Sequence, residues 1–295
     1  MRTLGKLFII ATALLALAVA FTWKHFTKPP PAAQASAGTI ESFARTVPPP
    51  HRTANPRSNS PLTGTSTVDR AQAFQSLKQR AKAGDAVAQR LLAQTYEACF
   101  VVNLHRERFL QMYQRARQDR PEQATTLDHL AQQRIEECDA VDNGAIIPQE
   151  LIRGWYAQAA ENGDLAARAH DYAVQRTPLD SPTATRFLED IVTSGDPAAM
   201  YSLGSALGSN MTENVGEPYK ELVSGPLAGP AWSLAACRMG YDCGPDSTDV
   251  GNFCLLIGRC LGETSEEMVF SMMKSDAERA ALEQKIQQIL EAVGP

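Results

Sequence analysis

The chain repeats a turn. Ala81-Lys82-Ala83-Gly84-Asp85 recurs as Ala160-Glu161-Asn162-Gly163-Asp164 and again as Val192-Thr193-Ser194-Gly195-Asp196. Four positions after each glycine stands an alanine: Ala88, Ala167 and Ala199. A degenerate fourth copy centres on Gly240. It shares with the second copy a tryptophan eight residues before the glycine (Trp155 and Trp232) and a small residue four before it (Ala159 and Ala236). Self-similarity of this kind is the signature of a helical repeat array. Glycine closes a helix because it reaches positive φ without a Cβ clash, and aspartate caps the next helix by accepting a backbone N–H. The pair therefore predicts a hairpin of two helices at each copy.

Helical spacing fills in the hairpins. Phe74, Leu77 and Ala81 precede the first turn, with Asp69 as the predicted N-cap, and Val87, Leu91, Leu92 and Tyr96 follow it. Repeats fall near 74–96, 151–173, 183–207 and 230–258. Pro182 and Pro197 stand at helix starts, where a missing N–H costs nothing. Alanine at glycine plus four lets two helices approach, and Trp155 and Trp232 are expected to fill space between neighbouring hairpins. Residues 100–147 read as a degenerate or inserted unit, and the Gly/Pro-rich stretch 209–230 as an ordered insertion loop. Thr264 with Glu267 and Ser275 with Glu278 each fit a capping box. Leu282, Ile286, Ile289, Leu290 and Val293 form one apolar stripe, so helices over 264–293 are expected to cap the array. The fold class is all-α: an irregular α-solenoid of antiparallel hairpins over residues 68–295.

The pattern resembles the SEL-like repeat class, a relative of tetratricopeptide repeats. Ala198-Ala199-Met200-Tyr201-Ser202-Leu203-Gly204 matches that class well, Gly84 to Tyr96 fairly, and Gly163 to Tyr172 more weakly, with His170-Asp171 replacing an apolar pair. The resemblance covers about half the chain and implies a stacked solenoid with scaffold or adaptor roles. Envelope members of the class clip a hairpin with a cysteine three residues before the turn glycine, the place Cys237 holds relative to Gly240. The spacing departs from the class: glycine to glycine is 79, 32 and 45 residues, against a period of about 34 for a tetratricopeptide repeat.

Six cysteines, Cys99, Cys138, Cys237, Cys243, Cys254 and Cys260, show no Cys-x2-Cys pair and no histidine at zinc-ligand spacing. An even count behind an export signal reads as disulfides in an oxidising compartment. Cys237 with Cys243, Cys254 with Cys260, and then Cys99 with Cys138 is the leading connectivity. Crossed pairing within the C-terminal four is the alternative.

Residues 1–27 predict that export signal. A basic start is followed by an uncharged run of 17 residues from Leu7 to Trp23, at the lower limit of about 17–25 for a spanning helix. Phe21, Trp23 and Phe26 beside Lys24 and Lys28 favour a retained inner-membrane anchor. Ala16-Leu17-Ala18 and Ala18-Val19-Ala20 fit a cleavage site, which would leave a periplasmic or secreted protein. Residues 28–67, with Pro29-Pro30-Pro31, Pro48-Pro49-Pro50, Pro56 and Pro61 among Ala, Ser, Thr and Gly, read as a disordered linker.

Charge is divided along the chain. Residues 1–67 carry seven Lys/Arg and the single acid Glu41, a net of +6, which leaves −11 on the remainder of a chain whose total is −5. An acidic body argues against nucleic acid, whose binding rests on neutralising phosphates. No nucleophile elbow, zinc-protease helix, phosphate loop or dinucleotide fingerprint is present, and no cofactor or metal is implied. His105, His129 and His170 are isolated in sequence, and the acidic cluster Glu136, Glu137, Asp139 and Asp142 reads as a solvated helix end. The chain therefore reads as a non-enzymatic interaction or scaffold protein of a bacterial envelope. Its body is expected to face the periplasm and hold a protein or peptide. The alternative is an envelope enzyme acting on a cell-wall polymer from 209–230 or 100–147, with Glu217, Glu221 and His170 as the residues to substitute.

Overall fold

Among the described residues every regular element is a helix. The structure, a computed structural model, describes Leu62 and residues 66–175, 181–207 and 215–294. The predicted membrane segment at 1–27, most of the 28–67 linker and the start of the 209–230 insertion lie outside them.

The repeated turn does what its residues require. Helix α1 (Thr67–Lys82) ends before Gly84 at φ +91°, and Asp85 caps α2 (Ala86–Leu104), its Oδ1 accepting from the Ala88 N–H at 3.0 Å. The second copy joins α5 (Gln149–Glu161) to α6 (Leu165–Gln175) through Gly163 at φ +94°, with Asp164 accepting from the Ala167 N–H at 2.7 Å. The third joins α7 (Ser181–Ser194) to α8 (Pro197–Leu207) through Gly195, with Asp196 accepting from the Ala198 N–H. Ala88, Ala167 and Ala199 are fully buried. They are the small residues of the second helix where it leaves the turn.

The fourth copy keeps the glycine and changes the restart. Helix α10 (Ala228–Arg238) ends at Gly240, φ +103°, but α11 (Thr248–Ile257) waits for Ser247, whose hydroxyl accepts from the Val250 N–H. Tyr241 stands where the other copies have their capping aspartate, so the second helix cannot start there.

Between the first and second copies lie α3 (Arg106–Asp119) and α4 (Ala124–Ala140), which pack on each other while α4 also lies against α1 and α2. Residues 100–104 complete α2, so the added helices begin only at Arg106, and they are tied to α2 where Cys99 and Cys138 approach to a Cα separation of 5.2 Å. Closing a loop of that length contributes about 4 kcal/mol in the chain-entropy model. Cys237 with Cys243 and Cys254 with Cys260 also lie at disulfide distance. The described part of the 209–230 insertion contains a one-turn helix, α9 (Lys220–Val223).

Packing then runs from pair to pair: α2 on α5, α6 on α8, α8 on α10 and α10 on the last helix, α13 (Asp276–Val293). Phe74, Leu92, Tyr96, Leu127 and Tyr156 belong to one buried cluster, and Phe187, Met200, Leu203, Trp232 and Leu234 to a second. Leu282, Ile286 and Ile289 of α13 join the second cluster fully buried. Trp232 is buried with its indole N–H donating to the Leu222 carbonyl at 3.1 Å. Trp155 is only half-buried at the edge of the first cluster, and its neighbour Tyr156 takes the interior position.

Two local expectations differ in detail. Helix α1 starts at Ser66, not Asp69. The Ser66 hydroxyl accepts from the Asp69 N–H, which places Asp69 at the third helical position where its carboxylate suits the helix dipole. A capping box forms at Thr264 and Glu267, opening α12 (Ser265–Ser271). At α13 the box is half made: Ser275 caps, while the Glu278 carboxylate accepts from the Lys274 N–H instead.

Two contacts between elements were not legible locally. Gly204 of α8 meets Gly229 of α10 so closely that a Cβ on Gly204 would run into Ser233 Oγ and lie 2.8 Å from the Gly229 carbonyl oxygen. The second copy's turn is also locked to the first. Arg90 Nε donates to both Asp164 oxygens at 3.0 and 2.9 Å, and the two side chains are 8% and 2% exposed. Beside this pair, Asn162 donates to Gln89 Oε1, and Gln89 donates to the Ala81 carbonyl.

Gly204→Ala is expected to lower stability by about 1–3 kcal/mol through overpacking, despite alanine's higher helix propensity. Gly154→Ala, on α5 with open space around it, is expected to raise stability by about 0.5–1 kcal/mol. Denaturant titration of the two variants checks the contrast. Asp164→Ala leaves Arg90 buried and unpaired and is expected to cost about 3–5 kcal/mol. The equivalent Asp85→Ala loses a cap and an exposed pair with Arg80 and is expected to cost about 1 kcal/mol. Equal losses at the two positions would contradict the assignment.

Candidate functional site

The second helices of successive pairs present one side to a common open groove. Residues of α2, α6, α8 and α11 line it, with contributions from α3, α4 and Tyr156 of α5, and its volume is about 640 Å³. The hairpin register explains this. Each of the first three turns starts its second helix with a buried alanine, so the face turned away from the turn recurs in α2, α6 and α8, while α11 reaches the groove from its own later start at Ser247.

One end of the groove is built on Glu97 of α2. The Tyr156 hydroxyl donates to Glu97 Oε2 at 2.8 Å, and His170 Nε2 stands 3.5 Å from Glu97 Oε1. The His170 ring stacks on Tyr156 with centroids 3.5 Å apart, and its Nδ1 has no hydrogen-bond partner among the described residues. Burial pushes the Glu97 pKa up, but the hydrogen bonds and charge of His170 and the Tyr156 hydroxyl outweigh it and hold the carboxyl below its ordinary range. Burial and the Glu97 charge push Tyr156 well above the usual phenol value, so it remains a donor.

The other end is built on Asp249 of α11. Tyr241 donates to Asp249 Oδ2 at 2.9 Å and stacks against Tyr201, their rings 4.1 Å apart. Burial raises the Asp249 pKa above the ordinary carboxylate range, against the hydrogen bond from Tyr241. Arg134 crosses the wall between this groove and a second cavity that also holds His129. It donates to Asn252 Oδ1 at 2.6 Å and sits 3.4 Å from Glu137, and burial lowers its pKa. The groove also carries exposed apolar side chains: Val101, Met112 and Leu256, the last 80% exposed.

Of the positions named from the sequence, Cys99, Glu137, His170, Tyr201 and Ser202 line this groove. Gly84, Gly163, Gly195 and Gly240 lie at the helix joints, and Ala88, Ala167, Ala199, Trp155 and Trp232 lie within or against the helix packing; none of them lines the groove. Glu217 and Glu221 do not reach His170's site either. The acidic cluster at the end of α4 is ion-paired rather than merely solvated. Glu136 meets Arg70, Glu137 meets Arg134, Asp139 meets Arg106, and Asp142 meets Lys78 and the Tyr96 hydroxyl. Among the described residues no group of His, Cys, Asp and Glu could hold a metal ion. Glu97, Tyr156, Tyr241 and Asp249 carry no sequence signal of their own, because each is brought to the groove from a different helical unit.

No protein-family model, curated protein or solved structure matches the chain.

Because its folded pKa lies above the unfolded value, Asp249 contributes stability that is complete below about pH 4 and lost as pH rises through the folded pKa. Asp249→Asn keeps an acceptor for Tyr241. It is expected to melt higher than the unsubstituted chain at pH 7, with the difference vanishing below about pH 4. Melting curves by circular dichroism from pH 3 to 8 check the sign.

Proposed function

We propose that the helical pairs form an irregular solenoid of the SEL-like kind, and that its groove holds a segment of another protein. The chain is then a non-enzymatic scaffold of the bacterial envelope. Residues 1–27 anchor it in the inner membrane with the helical body in the periplasm, or are cleaved to release it there. The observation that carries the binding reading is the groove itself. Apolar side chains exposed to solvent stand beside hydrogen-bonding groups held rigidly by stacked rings and ion pairs. Such an arrangement suits an extended peptide, whose side chains need apolar contact and whose backbone needs donors and acceptors. Three cysteine pairs at disulfide distance support an oxidising compartment. Among the described residues no helix is long and apolar enough to cross a membrane, so anchoring rests on the sequence of residues 1–27 alone.

A second reading, an envelope enzyme acting on a wall polymer, draws on Glu97 and His170, an acid and a base within reach of one another in an open groove. The two readings separate by substitution. Under the scaffold reading, Val101→Asp and Leu256→Asp each weaken partner binding about tenfold or more. A photoreactive residue at either position crosslinks a partner in living cells, while one at Val87, exposed but outside the groove, does not. Equal crosslinking from both faces would overturn this reading. Under the enzyme reading, Glu97→Gln and His170→Asn abolish turnover of wall fragments and leave crosslinking intact.

A further inference from the structure

Leu62 stands four positions before Ser66, outside the helices, and yet is only 7% exposed. It lines the groove and belongs to the same hydrophobic cluster as Cys99, Val102, Phe109 and Leu255, which line it too. An aliphatic side chain from the linker therefore occupies part of the surface that the preceding reading assigns to a partner. We propose that Leu62 is a tethered ligand of the groove: the chain's own leucine holds the apolar subsite, and a partner segment must displace it.

Three features favour Leu62 as the occupant. The first is the burial of Leu62 in a groove whose neighbouring Val101 and Leu256 stay exposed. The second is charge. Residues 1–67 carry +6 and the rest of the chain −11. Among the described residues that line the groove, Glu97, Glu137 and Asp249 stand against the single permanent cation Arg134, and Arg57 lies five positions before Leu62 in sequence. The third is tether length. Leu62 is joined covalently to the groove-bearing chain only four positions before Ser66, and a ligand so tethered acts at an effective concentration on the order of millimolar, so even a weak intramolecular site is substantially occupied. A partner then needs the same chemistry: an aliphatic anchor on an extended segment near basic residues. Its apparent affinity falls in proportion to the fraction of grooves left open.

The inference rests on the scaffold reading, and its test can fail separately. The probe is a fluorescent peptide of residues 57–65, with a control peptide in which the leucine is replaced by aspartate. Each is titrated against the full chain and against its Leu62→Asp and Leu62→Ala variants, with circular dichroism confirming the helical fold. The expected result is that both variants bind the leucine peptide about tenfold or more tighter than the unsubstituted chain, that none binds the control, and that added peptide slows the amide exchange of residues 94–102 in the variants. Equal binding by all three proteins overturns the proposal. So does a helical variant that binds no peptide, which makes Leu62 an ordinary core residue. If the proposal fails while groove crosslinking to a partner persists, the scaffold reading stands. If peptide competition is seen and no partner crosslinks from the groove, the tether stands and the scaffold reading falls.

Discussion

The buried pair between Arg90 and Asp164 is the contact on which the arrangement of the first two hairpins depends. Asp164 caps its own helix through the Ala167 N–H and accepts two hydrogen bonds from a side chain of the preceding hairpin. One carboxylate thus sets both the start of a helix and its place against the helix before it. A buried guanidinium with a wrong or absent partner is strongly unfavourable, so alternative stackings of these two hairpins are penalised more than the native one is rewarded. The amides of Asn162 and Gln89 extend the same logic to the Ala81 carbonyl. The turns therefore meet through directional bonds, while the helix faces meet through apolar contact that alone would tolerate sliding.

From that register the groove follows. Buried alanines let α2 and α6 lie close to the helices before them, while α8 packs closely against α6 and α10, and the remaining faces of all three helices line the groove. Glu97, Tyr156 and His170 then meet from three different helices, and Tyr201, Tyr241 and Asp249 from three segments further on. Stacked rings and charge-assisted hydrogen bonds hold these groups in a fixed arrangement along the groove.

Irregularity is handled by additions rather than by bending the hairpins. The segment after α2 supplies α3 and α4, which cover α1 and α2, and the Cys99–Cys138 contact ties α4 back to α2. The fourth copy replaces its capping aspartate with Tyr241, delays its second helix and brings Cys243 across to Cys237. Tyr241 instead stacks on Tyr201 in the groove, so the same change that degrades the repeat adds an aromatic pair to the groove wall.

The sequence by itself determined what is local. Glycine at positive φ followed by an N-cap aspartate specified three turns from one helix into the next, the Thr264 box specified the start of α12, and the apolar stripe at Leu282, Ile286 and Ile289 specified a helix that buries one face. Each of those signals acts within a turn or two of its own residues, so a linear reading can hold it. Only the tertiary structure decided what depends on distant residues meeting. It seated Tyr156 rather than Trp155 in the core, and brought Gly204 against Gly229. It also gave four acids around α4 four separate cations and made a cluster of His170 with Glu97. No periodicity encodes these contacts. They depend on the angle and spacing at which separate helices pack, and that is set by the sum of all the side chains between them.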